Sequence, residues 1–309
     1  MYDTLHIYAE SNKPVTEIGR YTDLRSEVRM NTGEEILKGT FKNFSIMQKS
    51  RNISLKGSLA KYYFDGSNLE TLTRGDTKSA IEKLSDELSM DINKSKITRL
   101  DVATNFIMKE NYRTYFNQLG DLKHFQRSIF KKSTLYYENG SKRITFYDKL
   151  ADLKKKNIPV PSEYRAYKGK VLRYESRFLS RVKDAFKMNT ITAADLYNEE
   201  FYRQAVDKWK DFYFSINKLH KLKFKDMAIE TINLKSFEAE LMLKGIEQLG
   251  GIDEVLSLVE NSRGHLNRVQ LSRLKSKIRS LNKHKELTEP QETILELDAK
   301  IKRVAEQYQ

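Results

Sequence analysis

Apolar and polar positions alternate through much of the first 180 residues. In "KRITFYDK" (142–149), Ile144 and Phe146 fall on one side of an extended chain, while Arg143, Thr145, Tyr147 and Lys149 fall on the other, because successive strand side chains point to opposite faces. "TRLDVATNF" sorts Leu100, Val102, Thr104 and Phe106 from Arg99, Asp101, Ala103 and Asn105, and "LRYESRF" sorts Leu172, Tyr174, Ser176 and Phe178 from Arg173, Glu175 and Arg177. Each segment predicts a strand with one apolar and one charged face.

The segments "DTLHIYAE", "FSIMQKS" and "ISLKGSLAKYYF" also read as strands, with "DGSN" at 65–68 as turn chemistry. Asn139-Gly140 predicts a hairpin between "STLYYE" and "KRITFYDK". Ile81, Leu84 and Leu88 recur at helical spacing and predict a helix over 77–89 capped by Thr77, and a short helix is expected around "NYRTYFNQL". Beyond residue 180 the period becomes helical: "TAADLYNEEFYRQAVDKWKDFYFSINKL", then "SFEAELMLKGIEQLGG" ending on a glycine pair, then a stripe of Leu271, Leu274, Ile278 and Leu281, and last a helix begun near Pro290 and running through Ile294, Leu297, Ile301 and Val304. The predicted class is α+β. An antiparallel sheet with flanking helices occupies 1–180, and an all-α region occupies 181–309.

With 309 residues, 39% of them hydrophobic, the chain can bury a large core. No apolar run reaches the roughly 18 residues of a membrane span, and the N-terminus lacks an export pattern, so no membrane contact and a cytoplasmic location are expected. The absence of cysteine excludes disulfides, thiolate metal sites and a cysteine nucleophile. A net charge of +14 points to a polyanionic partner. That charge is N-terminal: 33 Lys and Arg face 22 Asp and Glu in residues 1–180, against 23 and 20 in 181–309. Neither a GxxxxGK[ST] loop, a GxGxxG fingerprint nor an HExxH motif occurs. The histidines at 6, 124, 220, 265 and 284 are scattered, with no His-x-His pair, so any metal site must lean on carboxylates.

Charges at mid-strand are disfavoured unless paired, exposed or bound to an ion. If the three strands share a sheet, Asp101 and Glu175 come close enough to hold Mg²⁺ or Mn²⁺ through oxygen and polarise a phosphodiester. Tyr147 is then a candidate nucleophile, and Lys149 the cation that lowers a hydroxyl pKa of about 10. A strand tyrosine more commonly packs, and strand carboxylates commonly pair with neighbouring arginines. Tyr136 and Tyr137 remain alternatives to Tyr147 at this level.

Four ordered segments, "SLAKYYFDGSNLETLT", "ITRLDVATNF", "ITFYDKLADL" and "LRYESRF", carry a resemblance to phage and plasmid rolling-circle replication initiators of the filamentous-phage gene II and gene X type. The resemblance implies a site-specific endonuclease and strand transferase that attaches to a 5′ end through Tyr147 and leaves a 3′-OH primer. It implies Asp101 and Glu175 as metal ligands and carries Lys61 and Asn68 as DNA-contacting or structural members of the matching segment. Arg99, Arg143 and Arg173 are the accompanying candidates for DNA contact. The implied partners are origin DNA, single-stranded or in a hairpin, and the helicase and polymerase of a bacterial host. A second copy of the chain is an alternative source of a second tyrosine. The filamentous-phage proteins carry a glutamate a few residues beyond the tyrosine, where this chain reads "DKLADL" with Asp152 as its nearest acid.

In the C-terminal region, "NRVQLSRLKSKIRSLNKHK" places Arg268, Arg273, Lys275, Lys277, Arg279, Lys283 and Lys285 around an amphipathic helix. Arg273 and Lys277 are its candidates for phosphate contact, a solvated basic face being the alternative. With the preceding "IDEVLSLVEN" it also admits a helix-turn-helix reading. Trp209, Phe212, Tyr213 and Ile216 make an aromatic stripe expected to pack in the core. A non-catalytic origin binder and a mobilisation relaxase are the competing functions.

Overall fold

The computed structural model describes residues 1–10, 22–222, 234–261, 266–281 and 288–308. His265, Lys283, His284 and Lys285 lie outside them. Ten strands alternate with short helices: β1 (Tyr2–Glu10), β2 (Thr22–Arg29), β3 (Glu34–Phe41), β4 (Phe44–Lys49), β5 (Asn52–Ser58), β6 (Lys96–Ile107), β7 (Gln126–Phe130), β8 (Thr134–Glu138), β9 (Lys142–Asp148) and β10 (Val171–Phe178). They form one antiparallel sheet in the order β2-β3-β4-β5-β1-β6-β10-β9-β8-β7. The predicted hairpin at Asn139-Gly140 joins β8 to β9, closed by Asn139 N–H donating to the Lys142 carbonyl at 3.0 Å.

The apolar rows of these strands share one face. Leu5, Leu55, Leu100, Val102, Leu172, Tyr174, Ile144 and Phe146 belong to a single buried core. The helices that cover it are α2 (Arg74–Leu88), α3 (Tyr112–Gln118), α6 (Glu199–Ser215) and α10 (Glu292–Tyr308), after the shorter α1 (Leu59–Tyr63), α4 (Lys149–Lys155) and α5 (Val182–Ala185). The expected aromatic stripe is core: Trp209 and Tyr213 are fully buried, and Trp209 lies 4.9 Å from Tyr174, which stacks on Phe146 at 4.6 Å. A second core lies where Leu219 meets α7 (Leu234–Gln248), α8 (Ile252–Asn261) and α9 (Arg268–Leu281). The glycine pair closes α7 as expected: Gly250 and Gly251 have φ of 94° and 102°, and Gly251 N–H donates to the Ile246 carbonyl at 2.9 Å.

Three local expectations differ. "LAKYY" is the helix α1, because Ser58 caps it by accepting the Lys61 N–H and outweighs the strand propensity of the tyrosines. The helix expected from Thr77 starts at Arg74, with a capping box between Thr73 and Asp76, while Thr77 is buried and donates to the Thr73 carbonyl. Pro290 ends a short strand, β12 (Thr288–Pro290), paired with β11 (His220–Leu222), and the last helix begins at Glu292. Among the described residues no helix is long and apolar enough to cross a membrane.

Candidate active site

β6, β10 and β9 are neighbours, so their charged rows lie side by side. Arg177 stands opposite Asp101 on β6 and Arg143 on β9, Glu175 opposite Ala103 and Thr145, and Arg173 opposite Asn105 and Tyr147. Tyr147 and Glu175 are therefore offset diagonally, and the Tyr147 hydroxyl donates to Glu175 Oε1 at 2.8 Å.

Glu175 is buried at the centre of a cation cage. Arg173 Nε donates to its Oε1 at 2.6 Å, and Arg177 donates to its Oε2 through both Nε, at 2.7 Å, and Nη2. Burial alone would raise its pKa, but the charges of Arg177 and Arg173 prevail and hold the carboxyl well below the usual range. Arg173, only 2% exposed, spends its other nitrogens on Asp3 Oδ2 (2.6 Å), Asn105 Oδ1 (3.1 Å) and the Asn68 carbonyl (3.1 Å). Expected to touch DNA, Arg173 is thus an internal brace. Asp101 accepts Arg99 in bidentate fashion at 2.9 and 2.6 Å, with Arg177 Nε at 3.8 Å. Burial leads over these pairs and pushes its carboxyl up to about 6.

The arrangement does not fit a divalent ion at Asp101 and Glu175. All four carboxylate oxygens accept from arginine, and no three acidic, His or Cys side chains cluster as a metal site among the described residues.

Lys149 departs from the row expected of it. β9 ends at Asp148, whose carboxylate caps α4 by accepting the Leu150 and Ala151 N–H groups. Lys149 is therefore a helical residue, 1% exposed, donating to Asn68 Oδ1 at 2.6 Å with Asp152 at 3.7 Å. Burial, then the charge of Arg173, brings its ammonium down to about 7. Asn68 is likewise buried, donating to Asp3 and tying Lys149 to the Arg173 brace. Lys61 is half-buried within the field of Lys156, Asp3, Asp152 and Arg173. Arg143 pairs with Glu138 at 2.7 Å and lies 5.5 Å from the Tyr136 ring. Arg273 and Lys277 are exposed on α9, whose Leu271, Leu274 and Ile278 face the second core; they belong to a separate surface.

A cleft of about 260 Å³ opens over Tyr147. Arg177, Thr145 and Tyr136 share its lining, Lys131 stands on the β7–β8 side, and Lys155, Lys156 and Asp152 stand on α4. Thr145 is 1% exposed, and its hydroxyl has no hydrogen-bond partner among the described residues. The other two candidate tyrosines separate here. Tyr137 is buried with its hydroxyl against the Leu119 and Gly120 carbonyls, whereas Tyr136 lines the cleft.

Asp3 was absent from the sequence candidates, and a bulge explains why. Two residues of β1, Asp3 and Thr4, oppose the single Asp101, since Tyr2 pairs with Val102 and Leu5 with Leu100. Counted from the buried Leu5 and Ile7, Asp3 falls on the apolar side; the extra residue turns it to the charged face, where it accepts Ser58 and Arg173. No spacing signal in the sequence marks that turn.

The family model for the N-terminal region of the phage replication-associated gene II protein matches residues 22–200, more than half of the chain. The chain belongs to this family. Its role is accordingly in the initiation of phage DNA replication, with origin DNA as its partner. A search of curated proteins finds no match to the chain. The matched span holds every residue of this replication protein's cleft and cage except Asp3 on β1.

Proposed function

We propose that the protein starts replication by nicking one strand of origin DNA through Tyr147. The observation that carries the reading is a tyrosine hydroxyl in a cation-walled cleft, hydrogen-bonded to a carboxylate that two arginines keep ionised. Burial, then the charge of Glu175, raises the Tyr147 hydroxyl well above its usual value. The phenol therefore stays protonated until attack, and its proton leaves towards Glu175 as the bond from Tyr147 oxygen to phosphorus forms. The bond from phosphorus to the 3′ oxygen breaks in the same displacement, and a lysine of the cleft wall supplies that oxygen's proton. The products are a 5′-phosphotyrosine and a free 3′-OH, with the ester energy conserved for later rejoining.

Glu175 sits too far into the acid range to be a strong base, so its larger contribution is orientation: it fixes the O–H direction and leaves a lone pair facing the cleft. Arg177, Lys131, Lys155 and Lys156 offset the charge that grows on the phosphate. Arg173, Asp3, Asn68 and Lys149 position this apparatus from below.

The test is incubation with single-stranded origin DNA followed by denaturing electrophoresis. Wild type and Tyr136→Phe should give a shifted, covalent band, and Tyr147→Phe none. Glu175 keeps both arginines without the phenol, so Tyr147→Phe should fold. An adduct surviving in Tyr147→Phe refutes the reading. Runs with Mg²⁺, Mn²⁺ and a chelator address the ion expected at Asp101 and Glu175. A strict metal requirement would mean that the arginines yield those oxygens when DNA binds.

A further inference from the structure

The face of the sheet opposite α2, α3, α6 and α10 carries a rank of basic side chains that crosses the strands rather than following one. Lys56 on β5 pairs with His6 on β1, and His6 with Arg99 on β6. Arg99 folds onto Asp101, which stands opposite Arg177 on β10, and Arg177 stands opposite Arg143 on β9. Five adjacent strands thus contribute one basic side chain each. At about 4.8 Å per strand the rank spans about 19 Å.

Its outward surface is cationic even though acids neutralise part of it. Asp101 and Glu175 lie beneath, each with 3% of its side chain exposed, while the paired Arg99 and Arg177 keep about a fifth of theirs in solvent. Lys56 is exposed with no ion pair among the described residues, and Arg143 keeps 38% of its side chain open. The far end meets Tyr136 beneath the Arg143 guanidinium, a ring on which a base can stack. Arg177 belongs both to the rank and to the lining of the Tyr147 cleft. His6, between Lys56 and Arg99, has its imidazole pKa lowered by burial and then by those two charges, in keeping with a positive surface there.

We infer that the rank Lys56–His6–Arg99–Arg177–Arg143, ending at Tyr136, is the track along which a single DNA strand crosses the sheet to reach Tyr147. This rests on the nicking function proposed above and adds its substrate form and path. A rank one side chain wide with a stacking ring at its end suits one flexible backbone, whereas a duplex presents two backbones and no free base face.

Binding is measured by fluorescence anisotropy on full-length Tyr147→Phe, with a 20-nucleotide oligothymidylate and a 20-base-pair duplex as probes, over a range of salt. Lys56→Glu lies four strands from the tyrosine on an exposed position, and Lys56→Gln is the milder companion should the charge reversal impair folding. Both should weaken oligothymidylate binding several-fold, and the neutral variant should make the slope of log affinity against log salt shallower by about 0.7, the value of one phosphate contact. Duplex affinity should be unchanged. Arg203→Glu, an equal charge reversal on exposed α6, controls for net charge. The track is refuted if the Arg203 and Lys56 reversals act alike, if the duplex weakens as much as the single strand, or if the slope does not move. These readings need no catalysis, so they leave the adduct result separate: a normal binder without adduct overturns the chemistry alone.

Discussion

Lys149 shows how strand alternation can misplace a single side chain. Its neighbours in "KRITFYDK" alternate, and continuing that alternation sets it beside Tyr147; Asp148 ends the strand by capping α4, which turns Lys149 inward. The buried ammonium, lowered to about 7, makes a stability prediction. An unfolded lysine titrates near 10.4, so the native state gives up its proton first as pH rises. Stability from this group is complete above the unfolded value and is lost as pH falls from there to about 7. Wild type should therefore gain on Lys149→Gln between pH 7 and 10, by up to about 1.4 kcal/mol per pH unit, read from urea unfolding at each pH. Parallel profiles would contradict the burial described. Tyr147, Glu175 and Asp101 were legible because parity holds along β9, β10 and the Arg99–Phe106 stretch of β6, whereas Asp3 was hidden by a bulge that breaks it.

At the scale of elements, the strands with one clean apolar face were the readable ones. β2 is exposed along its whole length and β7 along most of it, so neither carries the alternation that announces a strand. The β7–β8 turn is where one such element reaches the cleft. Lys131 and Lys132 both hold positive φ, 48° and 54°, which costs a side-chain-bearing residue about 1 kcal/mol or more. Lysine is a poor turn residue at either position, and Lys131 stands on the rim of the cleft over Tyr147. Lys131→Gly should raise thermal stability by roughly 1 kcal/mol while slowing adduct formation. A variant that is less stable, or equally fast, would show the turn to be neither strained nor part of the site.

Across the whole molecule, the change of sequence grammar near residue 180 marks the end of the ten-stranded sheet, with only the short β11–β12 pair beyond it, but the core of that sheet runs on past it. Trp209 and Tyr213 of α6, and Ile294, Leu297 and Ile301 of α10, are buried in the same core as Leu5 and Leu172. Periodicity identifies such helices and their apolar faces, but it does not say which partner those faces meet. Nor does the family-matched span contain β1, which lies between β5 and β6. A fragment covering residues 22–200 should therefore fail to fold, showing no cooperative melt and binding hydrophobic dye, and fragment 1–222 should remain far less stable than the full chain for want of α10. A cooperative melt of either near wild-type temperature would contradict this division of the core.

The placement of α10 also sets a schedule for synthesis. Phe178 closes the last strand of the ten, yet Ile301 emerges more than a hundred residues later, on the order of ten seconds at ribosomal speed. Until then a nascent chain carries a finished set of strands with part of their cover missing. The core under the Tyr147 cleft is then completed abruptly with α10, and growing chains still on the ribosome are exposed to chaperones and proteases before that cover is in place.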